Sequence, residues 1–325
     1  MTDRPTLVTG ASGYIGGLLV SRLLAEGHRV RVISRSAGKL ATFPWYDDVE
    51  IVEGDATEPT DLDRALEGVG VAYYLIHSMD GAGDFRERDR ELAAGFARAA
   101  EQTGVSRIVY LGGLHPEGEE LSDHLASRVE VGQVFLDSAV PTAALQAGVV
   151  LGNGSASFEM LRHLTERLPA MIAPRWLHNR IQPIAVDDAL HYLVGAASLP
   201  ADVDRTLDIG GPQVITYADM MKRFAVVTGL RPRLIVTVPV LTPKLASHWI
   251  GLVTPVDTGV AKPLVGSLVH DAVCSENDID TLVGPPPGGT TGFDDAVRAA
   301  MREAEPQRGP RTLAETTIAT TAAAV

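Results

Sequence analysis

The sequence predicts an α/β fold: a parallel sheet wound with helices on both faces, followed by a smaller C-terminal substrate lobe. Three observations lead there. Short apolar strands alternate with amphipathic helical runs through the first half of the chain. The first strand runs straight into three glycines, Gly10, Gly13 and Gly16, which open the first helix. After Leu151 the rhythm breaks into loops, short strands and separate helices. Right-handed crossovers between parallel strands then give a doubly wound, Rossmann-type order.

Strands are expected over residues 6–9, 29–34, 49–53, 72–76, 107–111 and 142–150, with helices over 14–26, 61–67, 84–102 and 122–137. In the first helix Ile15, Leu18, Leu19 and Leu23 recur at helical spacing, and Gly27 supplies the stop. Beyond Leu151, the Gly152-Asn-Gly-Ser155 run reads as a loop and 156–168 as a helix. Residues 169–179 read as irregular and 181–186 as a strand, with Asp187 capping a helix over 188–198. A strand over 206–209, a Thr216-capped helix over 217–228, a strand over 234–238 and a helix over 293–303 complete the chain.

The 325 residues are 45% hydrophobic, enough for a large core. A net charge of −13 leaves no basic excess to neutralise phosphates, so no nucleic-acid partner is expected. The single cysteine, Cys274, excludes an internal disulfide and any multi-thiolate metal site, and reads as a small buried hydrophobe. No clustered His/Asp/Glu pattern suggests a metal. No signal peptide precedes the first strand and no run of about 18 apolar residues occurs, so the expectation is a cytoplasmic protein without an integral membrane segment. The longest apolar stretch, 234–253, is broken by Pro239, Pro243, Lys244 and His248. It reads as a buried lobe helix with flanking loops; peripheral membrane contact or an apolar substrate wall are the alternatives.

The glycine spacing carries the chemistry. The first glycine permits a tight turn, the second lets backbone approach a pyrophosphate, and the third lets helix pack on strand. Amides freed at the helix start then face the ligand's negative charge. The spacing Gly10-x-x-Gly13-x-x-Gly16 puts Ala11 and Ser12 in the turn, where the Ser12 hydroxyl bonds a phosphate or caps the helix. Arg35 ends the second strand, where an acidic residue would mark an NAD binder. A cation there favours a 2′-phosphate, hence NADP, with NAD the other possibility; Lys39 adds charge one helical turn on. Asp55 follows the third strand and is placed to accept from the adenine amino group, or to cap a plain turn. The fourth strand ends Leu75-Ile76-His77-Ser78 beside the ribose and pyrophosphate path, with Ile76 as an apolar wall and His77 a functional or a loop histidine. This organisation divides the chain into a dinucleotide-binding domain over 1–151, a substrate lobe over 152–303 with strands returning to the main sheet, and a disordered Thr/Ala-rich tail over 304–325.

Together these motifs resemble the short-chain dehydrogenase/reductase superfamily. The carrying runs are Val8-Thr-Gly-Ala-Ser-Gly-Tyr-Ile-Gly16, Gly54-Asp55-Ala56, Tyr73-Tyr-Leu-Ile-His-Ser78 and Arg107-Ile-Val-Tyr-Leu-Gly-Gly113. The likeness is narrower to the atypical NAD(P)H-binding branch, alongside NmrA-like proteins and complex I accessory-subunit relatives. Gly152-Asn-Gly-Ser-Ala-Ser-Phe158 and Ile184-Ala-Val-Asp-Asp188 fit its extended layout. The resemblance implies that Gly10, Ser12, Gly13, Tyr14, Ile15 and Gly16 lie against the pyrophosphate, Arg35 by the 2′-phosphate, and Asp55 and Ala56 by adenine.

The departures bear on catalysis. Competent members of the family carry Tyr-x-x-x-Lys on the helix after the fifth strand, and a serine or threonine near that strand's end. Here the window reads His124-Leu-Ala-Ser-Arg128, and Gly112 and Gly113 stand where the hydroxyl is expected. A spacing of four puts His124 and Arg128 on one helix face. An ordinary imidazole titrates near about 6.5 and exchanges protons at neutral pH; a guanidinium bonds a ribose or an oxyanion. His115 is a second proton-donor candidate.

Two functions follow. One is an NADPH-dependent reductase of a small carbonyl or quinone-like acceptor, with His124 supplying the proton and Arg128 orienting the ribose. The other is a non-catalytic NAD(P)H redox sensor or accessory protein of the NmrA-like type, motivated by the altered window. A sugar-nucleotide epimerase fits the layout but lacks the tyrosine and lysine, and neither Ser12 nor Ser78 has a hydrolase context. An apolar lobe around Met160, Leu161, Leu164, Met171 and Trp176 suggests an uncharged small-molecule substrate, while Arg162, Arg175 and Arg180 would suit an acid.

Overall fold

The computed structural model describes residues 4–76, 85–116, 118–238 and 266–304. Its first half runs β1 (Thr6–Val8), α1 (Tyr14–Ala25), β2 (Val30–Ser34), β3 (Glu50–Glu53), α2 (Pro59–Leu66), β4 (Val71–Tyr74), α3 (Phe85–Gln102), β5 (Arg107–Gly113), α4 (Asp123–Leu136) and β6 (Thr142–Ala147). It continues through β7 (Val150–Leu151), α5 (Ala156–Arg167), β8 (Ala170–Pro174), β9 (Arg180–Ile181), β10 (Ile184–Ala185) and α6 (Val186–Ala196). Then come β11 (Arg205–Ile209), β12 (Ile215–Thr216), α7 (Tyr217–Val227), β13 (Leu234–Val238), α8 (Asp278–Leu282) and α9 (Phe293–Ala304).

Seven strands form one sheet in the order β11-β6-β5-β4-β1-β2-β3, and every pairing in it is parallel. The strands are apolar on both faces because helices cover both. Alternation sends Val8, Val32, Tyr73 and Val109 to one side, where Leu19, Val20 and Leu23 of α1 and Ala189 and Leu193 of α6 meet them. Leu7, Ile33, Tyr74 and Ile108 point to the other side, onto Leu62 of α2, Phe96 of α3 and Phe135 of α4. The winding of the sheet reverses between β1 and β4, and the connections that leave their carboxyl ends run to opposite faces there, which opens a crevice.

A third apolar cluster joins Phe158, Met160 and Leu164 of α5 to Tyr217, Met221 and Phe224 of α7 and to Phe293 and Val297 of α9. Short sheets edge it, with β8 paired to β13 and β7 to β10 in parallel and β9 to β12 antiparallel. The chain then returns: β11 lies beside β6 in the main sheet, and α6 packs on the same face as α1.

Four local expectations need correction. The run 142–150 is two strands, because Gly148 passes so close to the Gln182 carbonyl that a Cβ would lie 3.0 Å from it, and the chain then leaves for β10. Residues 169–179 are not irregular: Met171 and Ala173 point inward while Ile172 points out, a period of two that makes β8. The strand read over 181–186 is split by Gln182-Pro183 into β9 and β10, since proline cannot donate to a ladder. Asp187 is not a cap; Ala185 precedes α6 without a side-chain bond, and Asp187 sits in the first turn. Neighbouring Asp188 is buried instead, accepting from Thr291 N at 2.6 Å and Thr291 Oγ1 at 3.2 Å. The expectations for 305–325 and for 239–253 lie outside the described residues.

Candidate active site

The crevice is built from the end of β1 outward. Thr9 is fully buried; its Oγ1 donates to the Tyr73 carbonyl at 3.0 Å and accepts from Leu75 N at 3.1 Å, clamping β1 to β4. Gly10 follows with φ +69°, and a Cβ on it would lie 2.6 Å from the Leu75 carbonyl oxygen. A Cβ on Gly16 would lie 2.2 Å from the Gly10 carbonyl oxygen, so α1 sits directly on the turn. Gly13 is the N-cap of α1 in extended conformation, without a side-chain cap, and the first turn carries no acidic residue. The helix therefore presents bare amides and the positive end of its dipole. Ser12 does not cap α1, contrary to one of its two expected roles; it is exposed at the turn.

Tyr14 and Ile15 line the cleft with Gly10, Gly13 and Gly16. The Tyr14 hydroxyl rests on the Gly152-Asn-Gly154 loop, where a Cβ on Gly152 would lie 2.2 Å from it. Burial, then the carboxylates of Glu303, Asp187 and Glu159, raise its pKa and keep it protonated. Arg35 and Lys39 are exposed after β2, and neither has an ion-pair partner among the described residues. Asp55 accepts from Thr57 N at 3.0 Å through one carboxylate oxygen, and its own N–H donates to Asp61 at 2.8 Å. It thus makes the turn that its alternative reading assigned to it, with the second oxygen still open; Ala56 follows, half-buried. Leu75 and Ile76 wall the cleft. His77 and Ser78 lie outside the described residues.

Across the crevice, β5 ends in Gly112 and Gly113. A Cβ on Gly112 would come to 3.1 Å from the Tyr110 ring, and one on Gly113 to 3.0 Å from Leu125 Cδ1. Leu125 of α4 is packed beside Gly113, and the Tyr110 ring beside Gly112. Ser122 caps α4, accepting from Leu125 N at 3.4 Å. Arg128 Nε donates to His124 Nε2 at 3.2 Å, and Arg128 Nη1 to the Leu111 carbonyl at 3.3 Å. Because Nε2 accepts, the ring proton sits on Nδ1. Burial, and secondarily the Arg128 charge, push the His124 imidazole down to about 3. The sequence expectation that this ring exchanges protons near neutrality is therefore corrected: it stays uncharged. His115 bonds the Gly113 carbonyl at 3.2 Å and is not part of the cleft wall.

The far wall comes from the second half of the chain: Ser155, Ser157 and Met160 from the loop and start of α5, Ile181, Tyr217, Leu268 and His270. The whole cleft holds about 390 Å³. Leu161, Leu164 and Met171 belong to the lobe core rather than to this wall, and Trp176 packs against that core. Arg162 pairs with Glu166 at 3.1 Å and Arg180 with Asp271 at 2.8 Å, while Arg175 is exposed; none of the three reaches the cleft. Tyr217 and His270 were not singled out in the sequence. Tyr217 looks like any aromatic at a helix start, and His270 sits in a stretch without periodicity. Among the described residues no helix is long and apolar enough to cross a membrane, and no group of three or more His, Cys, Asp or Glu could hold a metal.

Residues 10–140 match the family described as NAD(P)H-binding. The ceramide reductase of Caulobacter vibrioides is 28% identical over 236 residues, 70% of this chain and 72% of that protein. The triphenylmethane reductase of Citrobacter sp., solved with NADP(H), superposes with a TM-score of 0.69 over 91% of this chain and 99% of its own, at 19% identity. The NADPH-dependent quinone oxidoreductase of Escherichia coli, solved with NADPH, gives a TM-score of 0.68 over 90% and 98%, at 18% identity. These two share the fold. The matched segment holds the glycine turn, the open helix start and the strand reversal of the Rossmann-type sheet.

Proposed function

We propose that the protein is an NADPH-dependent reductase of an uncharged carbonyl or quinone-like acceptor. The observation that carries the reading is one continuous cleft joining the Gly10–Gly16 turn to the apolar wall of Met160, Ile181, Tyr217 and Leu268. The reductase names of the relatives support it.

The residues present fit a dinucleotide. Side chains at positions 10 and 16 would collide with backbone, so the turn keeps its surface bare. The amides at the start of α1, with Ser12, would hold the diphosphate. Arg35 and Lys39 would hold a 2′-phosphate, which favours NADPH over NADH. Asp55 and Ala56 would flank adenine, and Ile76 the ribose. Arg128 would bond the nicotinamide ribose, and His124, uncharged with Nδ1–H, would donate a hydrogen bond in the cleft rather than a proton. When bound, the reduced nicotinamide supplies a hydride to an acceptor carbon. The apolar wall excludes water from that transfer.

The test is a fluorescence titration with NADPH and NADH, followed by a carbonyl and quinone screen that reads loss of the reduced-nicotinamide absorbance. Tighter NADPH binding and acceptor-dependent oxidation are expected. Absence of binding to either nucleotide overturns the reading.

The sensor reading is favoured by one observation: the family's hydroxyl and tyrosine positions hold Gly112, Gly113 and an uncharged His124. It requires cofactor binding without turnover, and a partner whose affinity differs between oxidised and reduced cofactor.

A further inference from the structure

We propose that His270, oriented by Glu119, is the proton donor to the acceptor oxygen; this assignment rests on the reductase reading above.

The cleft contains two imidazoles with opposite partners. His124 faces the Arg128 guanidinium. His270 faces a carboxylate: its Nδ1 lies 3.0 Å from Glu119 Oε2. The two residues are 151 positions apart in sequence, so the pairing is made by the fold alone. A carboxylate only accepts, so Nδ1–H donates to it and the tautomer is fixed. Nε2 is then the ring's second nitrogen, with no hydrogen-bond partner among the described residues. A carboxylate on Nδ1–H holds an imidazole in orientation and stabilises the imidazolium when it forms. A guanidinium does the reverse, which is why His124 is unsuited to the role.

Exposure divides the pair in a useful way. The His270 side chain is 12% exposed and lines the cleft, whereas Glu119 is 56% exposed in the loop between β5 and α4. One end of the dyad faces the reaction chamber and the other faces water. Among the described residues, Asp271 is bound by Arg180 through N at 2.7 Å and Nε at 2.8 Å, and Arg128 bonds His124 and the Leu111 carbonyl.

As the acceptor carbonyl carbon takes the hydride, the C=O π pair moves onto oxygen. That oxygen forms an O–H bond with the proton on Nε2 of the His270 imidazolium, and the N–H bond breaks to leave neutral imidazole. Solvent that enters the cleft as the product leaves returns a proton to Nε2, and Nδ1–H stays on Glu119 throughout. The carbonyl is reduced to an alcohol, and the reduced nicotinamide is oxidised.

The test compares the full-length wild type with His270→Gln, Glu119→Gln and His124→Gln. NADPH affinity, read by fluorescence, is expected to stay within about twofold for His270→Gln. Its turnover is expected to fall by about 100-fold or more, and to lose the decline with rising pH that a histidine donor would give the wild type. Glu119→Gln is expected to move that decline to lower pH. It is also expected to move the His270 imidazole ¹⁵N titration in the same direction, a readout independent of turnover and of any acceptor. Retention of rate and pH profile in His270→Gln overturns the assignment and leaves the reductase reading standing, as does an unmoved ¹⁵N titration in Glu119→Gln. Wild type that binds NADPH but reduces no acceptor overturns the reductase reading, and the assignment with it.

Discussion

The carbonyl oxygen of Gly10 occupies the space that any side chain at position 16 would need, 2.2 Å from where its Cβ would lie. Helix α1 and the turn are thus spaced by the absence of one atom. Gly16→Ala must push α1 off the turn and tilt the amides that face the diphosphate. Overpacking of this kind costs about 1–3 kcal/mol. Reduced thermal stability and at least about tenfold weaker NADPH binding are expected, measured by melting and by fluorescence titration.

Arg35 stands exposed at the end of β2 with no carboxylate partner among the described residues. Hydrogen bonds to charged groups contribute about 1.5–3 kcal/mol. Arg35→Ala is therefore expected to weaken NADPH binding by about 10- to 100-fold while leaving NADH binding within about twofold. Equal losses for both nucleotides would place the adenosine end elsewhere.

The low pKa of His124 has a signature in stability. The unfolded ring binds a proton near pH 6.5 and the folded ring only near about 3. Between those values the unfolded state holds more protons, so stability rises with pH. The contribution is complete above about 6.5 and is lost as pH falls towards 3. In urea unfolding across this range, the slope should be shallower in His124→Gln than in wild type. Parallel slopes would mean the ring is charged in the folded protein.

Cys274 is half-buried beside Gln182 and Gly210, and burial, with Asp208 and Glu276 near it, pushes the thiol up to about 12. Alkylation of the folded protein at pH 8 is expected to be on the order of a thousandfold slower than after unfolding in urea. Mass spectrometry of the labelled peptide reads this directly.

The sheet was legible because its strands repeat one local pattern: an apolar run, a turn, an amphipathic helix. The glycine turn was legible because its requirement, backbone without side chains, is written in residue type. The short strands β7, β9 and β10 were not, since two-residue pairings leave no periodicity and depend on where Gly148 and Pro183 send the chain. The protonation of His124 was not legible either. Its spacing to Arg128 is in the sequence, but the burial that removes its charge is set by α4 packing onto β5. The His270–Glu119 contact joins two loops with no local signal, and only the assembled fold shows it.

Strand β11 reaches the edge of the sheet only after the chain has passed through α5, β8 and α6. The segment that walls the substrate side is consequently anchored twice, by β6 going out and by β11 coming back. Shortening the polypeptide at residue 151 would not liberate a self-sufficient nucleotide binder; it would strip β6 of its neighbour and leave a row of unsatisfied amides and carbonyls open to another copy. The same double tether holds the ends of the segment that carries α5 to one edge of the sheet, so packing changes within that segment need not shift the glycine turn.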